Sequence, residues 1–179
     1  MNRWTVHSGG FTASAPADDA SSASAASAAA ALVAESSQDG IATLDAPAPF
    51  RDFSMRAEIT MLWEDGHAGF LLRASDVRPG GRGGASFGGY EASINAQGWV
   101  GLSIDDWPGL CWKCVQMELP PHQAHTLMVR AKNGLIQVFV NDMINPKLSG
   151  KDQAHIEGLV GVRFENTGAT FENLQISPI

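Results

Sequence analysis

Charged residues are scarce in this sequence, and basic residues are scarcer than acidic ones. Asp, Glu, Lys and Arg make up 17% of its 179 residues, and twelve basic against nineteen acidic side chains give a formal net charge of −7. Nucleic acid and anionic membranes attract proteins through clustered basic side chains, so we expect neither as a partner. The chain also lacks an apolar run of about 18 residues that could span a membrane, and its first residues do not resemble a secretory signal.

Cysteine is almost absent, because the sequence contains only Cys111 and Cys114. Two cysteines cannot form a structural disulfide framework, so a local disulfide or two free thiols are the alternatives. His122 and His125 follow at a spacing that suits zinc. The residues between the cysteine pair and the histidine pair, 115–119, are however predicted to be a strand. The two pairs would then lie about 23 Å apart, too far for one tetrahedral ion. We expect no cofactor and leave open only a structural calcium ion held by backbone carbonyls and an aspartate.

Residues 13–36 differ sharply in composition from the rest of the chain. Twelve of these twenty-four positions are Ala and six are Ser, with few apolar side chains that could anchor the segment in a core. Such a segment is either a surface helix or a solvated insertion, and we favour the insertion. The length otherwise fits one domain. We therefore predict a single domain over residues 1–179 with a low-complexity Ala/Ser insertion at 13–36.

Short runs of strand-forming residues, separated by turn residues, account for most of the remaining sequence. Residues 53–61 alternate between apolar and polar side chains, which is the period of a half-buried strand. Asn133-Gly134 lies between two apolar runs and predicts a β-hairpin, and Gly9-Gly10 predicts another near the start of the chain. About a dozen strands without a long amphipathic helix indicate an all-β fold, a two-sheet antiparallel β-sandwich.

Several predicted strands and one adjoining loop carry polar or aromatic side chains that could form a binding site. Carboxylates accept hydrogen bonds from sugar hydroxyls, arginine donates in a fixed fork, and an aromatic ring covers the C–H side of a sugar. The combination suits a saccharide, although for any single residue a solvated strand face with Arg–carboxylate pairs is the alternative. The candidate ligand-binding residues are Arg73, Glu91, Ser93, Asp105, Asp106, Trp107, Trp112, Arg163 and Glu165.

The order of several short motifs resembles a known family of saccharide-binding modules. These motifs include Gly69-Phe70-Leu71-Leu72-Arg73, Gly98-Trp99-Val100-Gly101-Leu102 and Gly158-Leu159-Val160-Gly161-Val162-Arg163. They resemble the family 66 carbohydrate-binding modules, concanavalin-like sandwiches appended to bacterial family 32 glycoside hydrolases such as levanases. The resemblance covers nearly the whole chain outside the Ala/Ser segment. The motifs are also similar to laminin-G-like and keto-disaccharide-hydrolase-like domains.

The resemblance implies a concanavalin-like jelly roll and a non-catalytic module that grips the terminal fructose of levan-type fructans. Arg73, Glu91, Asp105 and Arg163 would be the polar ligands, and Trp107 or Trp112 would be the stacking ring. Because no histidine is among these contacts, we expect binding to depend only weakly on pH between about 6 and 8. The module would belong to a larger secreted protein, extracellular or at the cell surface, with a covalently linked catalytic domain.

Catalysis by the chain itself is an alternative to binding. A glycosidase needs two carboxylates, about 5 Å apart for retention and wider for inversion. The Glu-x-Asp-x-x-Glu signature of concanavalin-like glucanases is absent, although Asp105, Asp106, Glu91 and Glu165 could approach one another. We therefore predict a binding module rather than an enzyme. A glycoside-acting enzyme of the same fold and a laminin-G-like adhesion module, binding another glycan or a protein, stay open as alternatives.

Overall fold

The computed structural model describes residues 3–14, 26–27, 31–34, 39–79, 85–105 and 111–179. These residues form fifteen strands and no helix; among them, no helix long and apolar enough to cross a membrane is found. The strands are β1 (Arg3–Ser8), β2 (Thr12–Ser14), β3 (Ala26–Ser27), β4 (Ala31–Ala34), β5 (Gly40–Asp45), β6 (Phe53–Met61), β7 (His67–Pro79), β8 (Ala85–Asn95), β9 (Trp99–Ile104), β10 (Lys113–Gln116), β11 (Ala124–Lys132), β12 (Leu135–Val140), β13 (Leu148–Lys151), β14 (Leu159–Glu165) and β15 (Ala169–Pro178). The all-β prediction is confirmed.

The strands form two sheets that pack face to face. Sheet A has seven strands in the order β1-β5-β14-β7-β8-β9-β10. Sheet B has eight strands, in the order β13-β12-β11-β6-β15-β4-β2 with β3 paired to β15. Neighbouring strands run antiparallel throughout the described residues. The predicted two-sheet antiparallel sandwich is therefore confirmed.

The alternation along β6 shows how the core comes to lie between the sheets. Phe53, Met55, Ala57, Ile59 and Met61 are fully buried, and the residues between them are exposed or half-buried. Because alternate residues of a strand point to opposite faces, one face of β6 packs inward and the other faces solvent. The facing layer of sheet A includes Phe70, Leu72, Tyr90, Ala92, Val162 and Phe164.

The two predicted glycine turns have different outcomes. Asn133 and Gly134 join β11 to β12 with φ angles of 50° and 78°, so that hairpin is confirmed. The predicted Gly9-Gly10 hairpin is wrong, because β1 pairs with β5 in sheet A while β2 pairs with β4 in sheet B. Gly9 has a φ of 73°, and a Cβ there would lie 2.7 Å from the Cα of Gly40. Glycine is thus required where the chain crosses from one sheet to the other.

Parts of the Ala/Ser segment belong to sheet B. β4 pairs with β15, and its residues Leu32 and Ala34 are buried in the core. β2 continues the sheet beyond β4, and β3 pairs with Gln175 and Ile176 of β15. Residues 15–25, 28–30 and 35–38 lie outside the described part of the chain. The insertion at 13–36 stays a prediction for those positions.

The hairpin of β7 and β8 covers part of the outer face of sheet A. Its register shifts between Leu72 and Ser75 and again between Ser75 and Arg78, and bulges of this kind bend a strand. Phe87 of β8 is 5% exposed and belongs, with Ile41 of β5, to a small apolar cluster separate from the main core. The outer face of sheet A is therefore only partly accessible to solvent.

Candidate functional site

Four of the candidate residues lie together on the outer face of sheet A. β14, β7 and β8 are neighbours in this sheet, and Gly69 is the Cα partner of both Arg163 and Ser93. The adjacent residues of β14 and β8 are buried in the main core. Alternation therefore sends the candidates to the opposite face. The four residues are Arg163, Glu165, Glu91 and Ser93.

Arg163 links two carboxylates within this group. Its Nη1 donates to Glu91 Oε2 at 2.8 Å, and its Nη2 donates to Glu165 Oε2 at 2.7 Å. His67 joins them, because its Nε2 lies 2.9 Å from Glu91 Oε1 and 3.8 Å from Glu165 Oε2. An arginine and a histidine thus lie between two carboxylates. We call Arg163, Glu91, Glu165 and His67 the ionic cluster.

Burial and neighbouring charges set the protonation of the ionic cluster. Desolvation raises the pKa of Glu91, but the positive charges of His67 and Arg163 outweigh it and bring the pKa to about 2. Desolvation lowers the pKa of His67, but the carboxylates of Glu91 and Glu165 outweigh that effect, so this pKa is raised. Glu91 is therefore ionised at neutral pH, and His67 keeps its proton to a higher pH than a solvated histidine.

The ionic cluster is buried on one side and open on the other. Arg163 and Glu91 are each 4% exposed, and the Arg163 guanidinium carbon lies 5.4 Å from the centre of the Phe87 ring. The side chains of His67 and Glu165 are 30% and 26% exposed. A ligand on this face would therefore contact His67 and Glu165, while Arg163 and Glu91 orient them from below.

An exposed indole and an open floor lie on the same face as the ionic cluster. Trp99, the first residue of β9, is 43% exposed, whereas the next residue, Val100, is buried in the core. Gly101 follows on the outer face beside its register partner Ser93. A Cβ placed on Gly101 would find no atom closer than 3.8 Å. We call His67, Glu165, Ser93, Trp99 and Gly101 the sheet A patch.

Arg73 does not join the ionic cluster. It lies at a bulge of β7 with a φ of 52° and is 1% exposed, at one end of the sandwich. Its Nε and Nη2 donate to the carbonyl of Arg51 at 3.0 and 2.7 Å, and its Nη1 donates to the carbonyl of His155 at 3.3 Å. Asp52 Oδ1 lies 3.6 Å from Nη2. The guanidinium thus holds protein loops together beside a cavity of about 210 Å³.

Asp105 lies at the same end of the sandwich as Arg73. Its Oδ1 accepts from the backbone N–H of Gly89 at 2.9 Å and lies 2.7 Å from His155 Nε2. The backbone N–H of His155 donates to the Tyr90 hydroxyl, which donates to Asp152. The Asp105 side chain is 53% exposed and can reach solvent molecules. We call Arg73, Asp105 and His155 the sandwich-end cluster.

Trp112 is half-buried at the open side of the sandwich. Its ring lies so close to Gly150 that a Cβ on that glycine would clash with it, and the ring packs against the main core. Because β10 is an edge of sheet A and β13 is an edge of sheet B, Trp112 closes the gap between two edges. Asp106 and Trp107 lie outside the described residues. Their contribution to a site stays a prediction.

Both cysteines are exposed free thiols. Desolvation and a hydrogen bond with Cys114 raise the pKa of Cys111 to about 11, so that group is protonated at neutral pH. Within the described ranges, no three His, Cys, Asp or Glu side chains are grouped so that they could hold a metal ion.

A family match accompanies this geometry. The family described as the 3-keto-alpha-glucoside-1,2-lyase-like domain matches residues 1–177, which is nearly the whole chain. The chain belongs to this family. No curated protein sequence matches it.

Several solved structures share the fold of this lyase-like domain. The carbohydrate-binding module of family 66 from Bacillus subtilis is 16% identical with a TM-score of 0.73, over 97% of this chain and 94% of that one. A Bacillus subtilis protein of unknown function with a galectin-like fold is 14% identical at a TM-score of 0.66, over 98% and 89%. The exoplasmic/lumenal domain of VIP36, bound to Ca²⁺ and Man3GlcNAc, is 12% identical with a TM-score of 0.64, over 98% of this chain and 86% of that one. The chain therefore has a carbohydrate-binding-module fold, and the resemblance seen in the motifs is confirmed.

The sequence candidates omit three members of the sheet A patch in this lyase-like domain, namely His67, Trp99 and Gly101. His67 is isolated in the sequence because its partners, Glu91 and Glu165, belong to other strands, and the pairing of β7 with β8 and β14 brings them together. Trp99 carried a usable signal, because it alternates with the apolar Val100 and so shares a face with polar residues of β9.

Proposed function

We propose that the chain is a non-catalytic module that binds the terminal fructose of fructans on the sheet A patch. The observation that carries this proposal is the exposed Trp99 indole on the same face as the open Gly101 floor and the half-exposed His67 and Glu165. A sugar presents hydroxyls at its edge and C–H groups on its faces. The patch offers a matching arrangement of charged hydrogen-bonding groups and one aromatic ring.

Each residue of the patch has a separate role in this proposal. The Glu165 carboxylate accepts hydrogen bonds from hydroxyls, and the His67 imidazole donates one when it is protonated. The Ser93 hydroxyl can do either. Trp99 stacks on the apolar face of the sugar, and Gly101 leaves room for it because no side chain rises from the floor. Two buried partners, Arg163 and Glu91, keep the charged groups in position before the ligand arrives, which lowers the entropic cost of binding.

The resemblance of the motifs to the family 66 carbohydrate-binding modules of levanases supports the choice of a fructan as the ligand, and the chain shares its fold with a solved module of that family. That fold also occurs in a mannose-containing glycan complex, so the sugar has to be tested directly. A larger secreted protein with a linked glycoside hydrolase domain is the setting we propose for the module. The same module on a cell surface would attach its parent protein to fructan-containing material.

Calorimetric titration with fructose, levan oligosaccharides and inulin tests the proposal. We expect binding of levan oligosaccharides with a Kd that rises about tenfold or more in Trp99→Ala, because a stacked aromatic ring contributes on the order of 1.5 kcal/mol. Trp63→Ala is the matched control, since Trp63 is 37% exposed outside the patch. No binding of any fructan, with binding of mannose-containing glycans on a glycan array, would overturn the fructan assignment.

Catalysis is a second candidate, favoured by the His155–Asp105 contact of 2.7 Å together with the family match. A carboxylate that orients an imidazole can make it a general base. On a 3-keto-glucoside, such a base would take the C2 proton while the C1–O bond breaks and a C1–C2 double bond forms. Release of the aglycone from a 3-keto-glucoside, lost in His155→Gln, would support this candidate. No release by the wild-type chain would count against it.

A further inference from the structure

The outer face of sheet B concentrates positive charge in a chain whose net charge is −7. Arg56, Arg130, Lys132 and Lys151 are exposed on β6, β11 and β13. Arg130 and Lys132 lie two residues apart on β11 and therefore point the same way. Lys132 pairs with Leu135, and Leu135 pairs with Lys151, so these two lysines share one row across the sheet. One third of the twelve basic residues thus occupies a single face.

A row of polar side chains crosses five strands next to these lysines. The register pairs Ser177 with Ser54, Ser54 with Arg130, Arg130 with Gln137, and Gln137 with Ser149. Neighbouring strands are about 4.8 Å apart, so the row is about 19 Å long. Hydroxyl, amide and guanidinium groups therefore follow one another along a line long enough for several sugar residues.

These residues also line a groove. A cavity of about 690 Å³ is bordered by Ser54, Arg130, Lys132, Gln137 and Lys151, and by the apolar side chain of Leu135. It lies on the other sheet from the sheet A patch. A ligand in this groove would therefore be independent of one on sheet A.

Among the residues that the structure describes, the basic side chains of the groove have no carboxylate partner. Arg130, Lys132 and Lys151 form no ion pair within the described part of the chain. The guanidinium carbon of Arg130 lies 5.2 Å from the centre of the buried Phe139 ring, which fixes it over the floor. The acidic residues Glu58 and Glu172 of the same face are register partners of each other, and Glu58 is also the partner of Thr126, four residues from Arg130 and thus about 13 Å away.

We propose that this groove is a second saccharide site, for an acidic oligosaccharide whose sugars carry carboxylate groups. The unpaired cations supply the charge, and the Arg130 fork matches a carboxylate in geometry. The Ser and Gln side chains of the row bind hydroxyl groups between the charges. Unlike an oligosaccharide that fits within the row of about 19 Å, a nucleic acid or an anionic membrane extends beyond the groove and meets the negative charge of the rest of the chain, so neither is the expected occupant.

Titration with an oligogalacturonate tests the proposal, and its methyl-esterified form is the matched ligand control without charge. We expect the charged oligomer to bind, the ester to bind at least tenfold more weakly, and the affinity to fall as salt concentration rises. The variant R130Q/K132Q/K151Q should lose at least tenfold in affinity. The variant R78Q/K113Q/K147Q removes the same charge outside the groove and should lose less than twofold.

The second site and the proposed fructan site can fail separately. Trp99→Ala should leave oligogalacturonate binding unchanged, and R130Q/K132Q/K151Q should leave fructan binding unchanged. If the triple variant does not fold, the single variants Lys132→Gln and Lys151→Gln alter only exposed side chains and should each weaken binding measurably. Equal binding of the charged oligomer by the groove variant and the wild type would overturn the proposal. Tighter binding to DNA or to phosphatidylserine vesicles than to oligogalacturonate would do so as well.

Discussion

Glu91→Gln measures how strongly the ionic cluster stabilises the sandwich. The substitution keeps the shape of the side chain but removes its charge, leaving the buried Arg163 with Glu165 as its carboxylate partner. The pKa of Glu91 is lowered from 4.5 to about 2, and about 1.4 kcal/mol per unit gives about 3 kcal/mol at neutral pH. Breaking a buried ion pair by removing one partner costs a similar amount, about 3–5 kcal/mol.

We therefore expect urea denaturation at neutral pH to show a free energy of unfolding about 3 kcal/mol lower in Glu91→Gln than in the wild type. For a chain of this length, the melting temperature should fall by roughly 6–12 °C. Glu172→Gln removes an exposed carboxylate on β15 and should change stability by no more than about 0.5 kcal/mol.

The pH dependence of the same variant provides an internal check. A lowered carboxyl pKa contributes stability that is complete above the unfolded value of 4.5 and is lost as the pH falls toward the folded value of about 2. The difference in unfolding free energy between wild type and Glu91→Gln should therefore shrink as the pH falls from 4.5 toward 2. A loss of less than about 1 kcal/mol at neutral pH would refute the view that Glu91 and Arg163 hold this face together.

Three further predictions concern neighbouring residues. Because the pKa of His67 is raised, its stabilising charge is present below pH 6.5 and is lost as the pH rises through the folded pKa. The free energy of unfolding of the wild type relative to His67→Gln should therefore decrease from pH 6 to pH 9. A difference that does not change with pH would show that the imidazole does not belong to the ionic cluster. Arg73→Ala leaves the carbonyls of Arg51 and His155 without this hydrogen-bond donor, so calorimetry should show a free energy of unfolding lower by at least about 2 kcal/mol. A variant of unchanged stability that binds sugar more weakly would instead make Arg73 a ligand residue. Gly101→Ala should fold normally, since the nearest atoms are 3.8 Å from the new Cβ. Gly101→Trp should block fructan binding without changing the melting temperature. Normal fructan binding by the Trp variant would contradict the proposal that the ligand lies over Gly101.

The part of the fold that follows from local pattern could be predicted from the sequence. Alternation alone identifies β6 and its inward face, and Asn133-Gly134 identifies the β11–β12 hairpin. Gly9-Gly10 was misleading because glycine permits a sharp change of direction without fixing which strand follows as a partner. The neighbouring strands on either side of that turn belong to different sheets.

The candidate site was predicted only in part, because sheet register cannot be read from one strand. Glu91, Arg163 and Glu165 were placed correctly on outward faces, and the sheet order brings them into contact. Arg73 departs from this pattern because the bulge after Leu72 breaks the alternation and turns its side chain toward the sandwich end. The weak pH dependence of binding stays a prediction, but it was drawn from arginine and carboxylates alone, whereas His67 belongs to the ionic cluster.

Chemical-shift mapping with a levan oligosaccharide locates binding on the molecule directly. Titration of the ¹⁵N-labelled chain should move the backbone amide signals of Gly69, Ser93 and Gly101 and the indole signal of Trp99. The signals of Gly89 and Asp105 at the sandwich end should stay in place. Shifts confined to Gly89, Asp105 and His155, or no shifts at saturating oligosaccharide, would contradict binding on the sheet A patch.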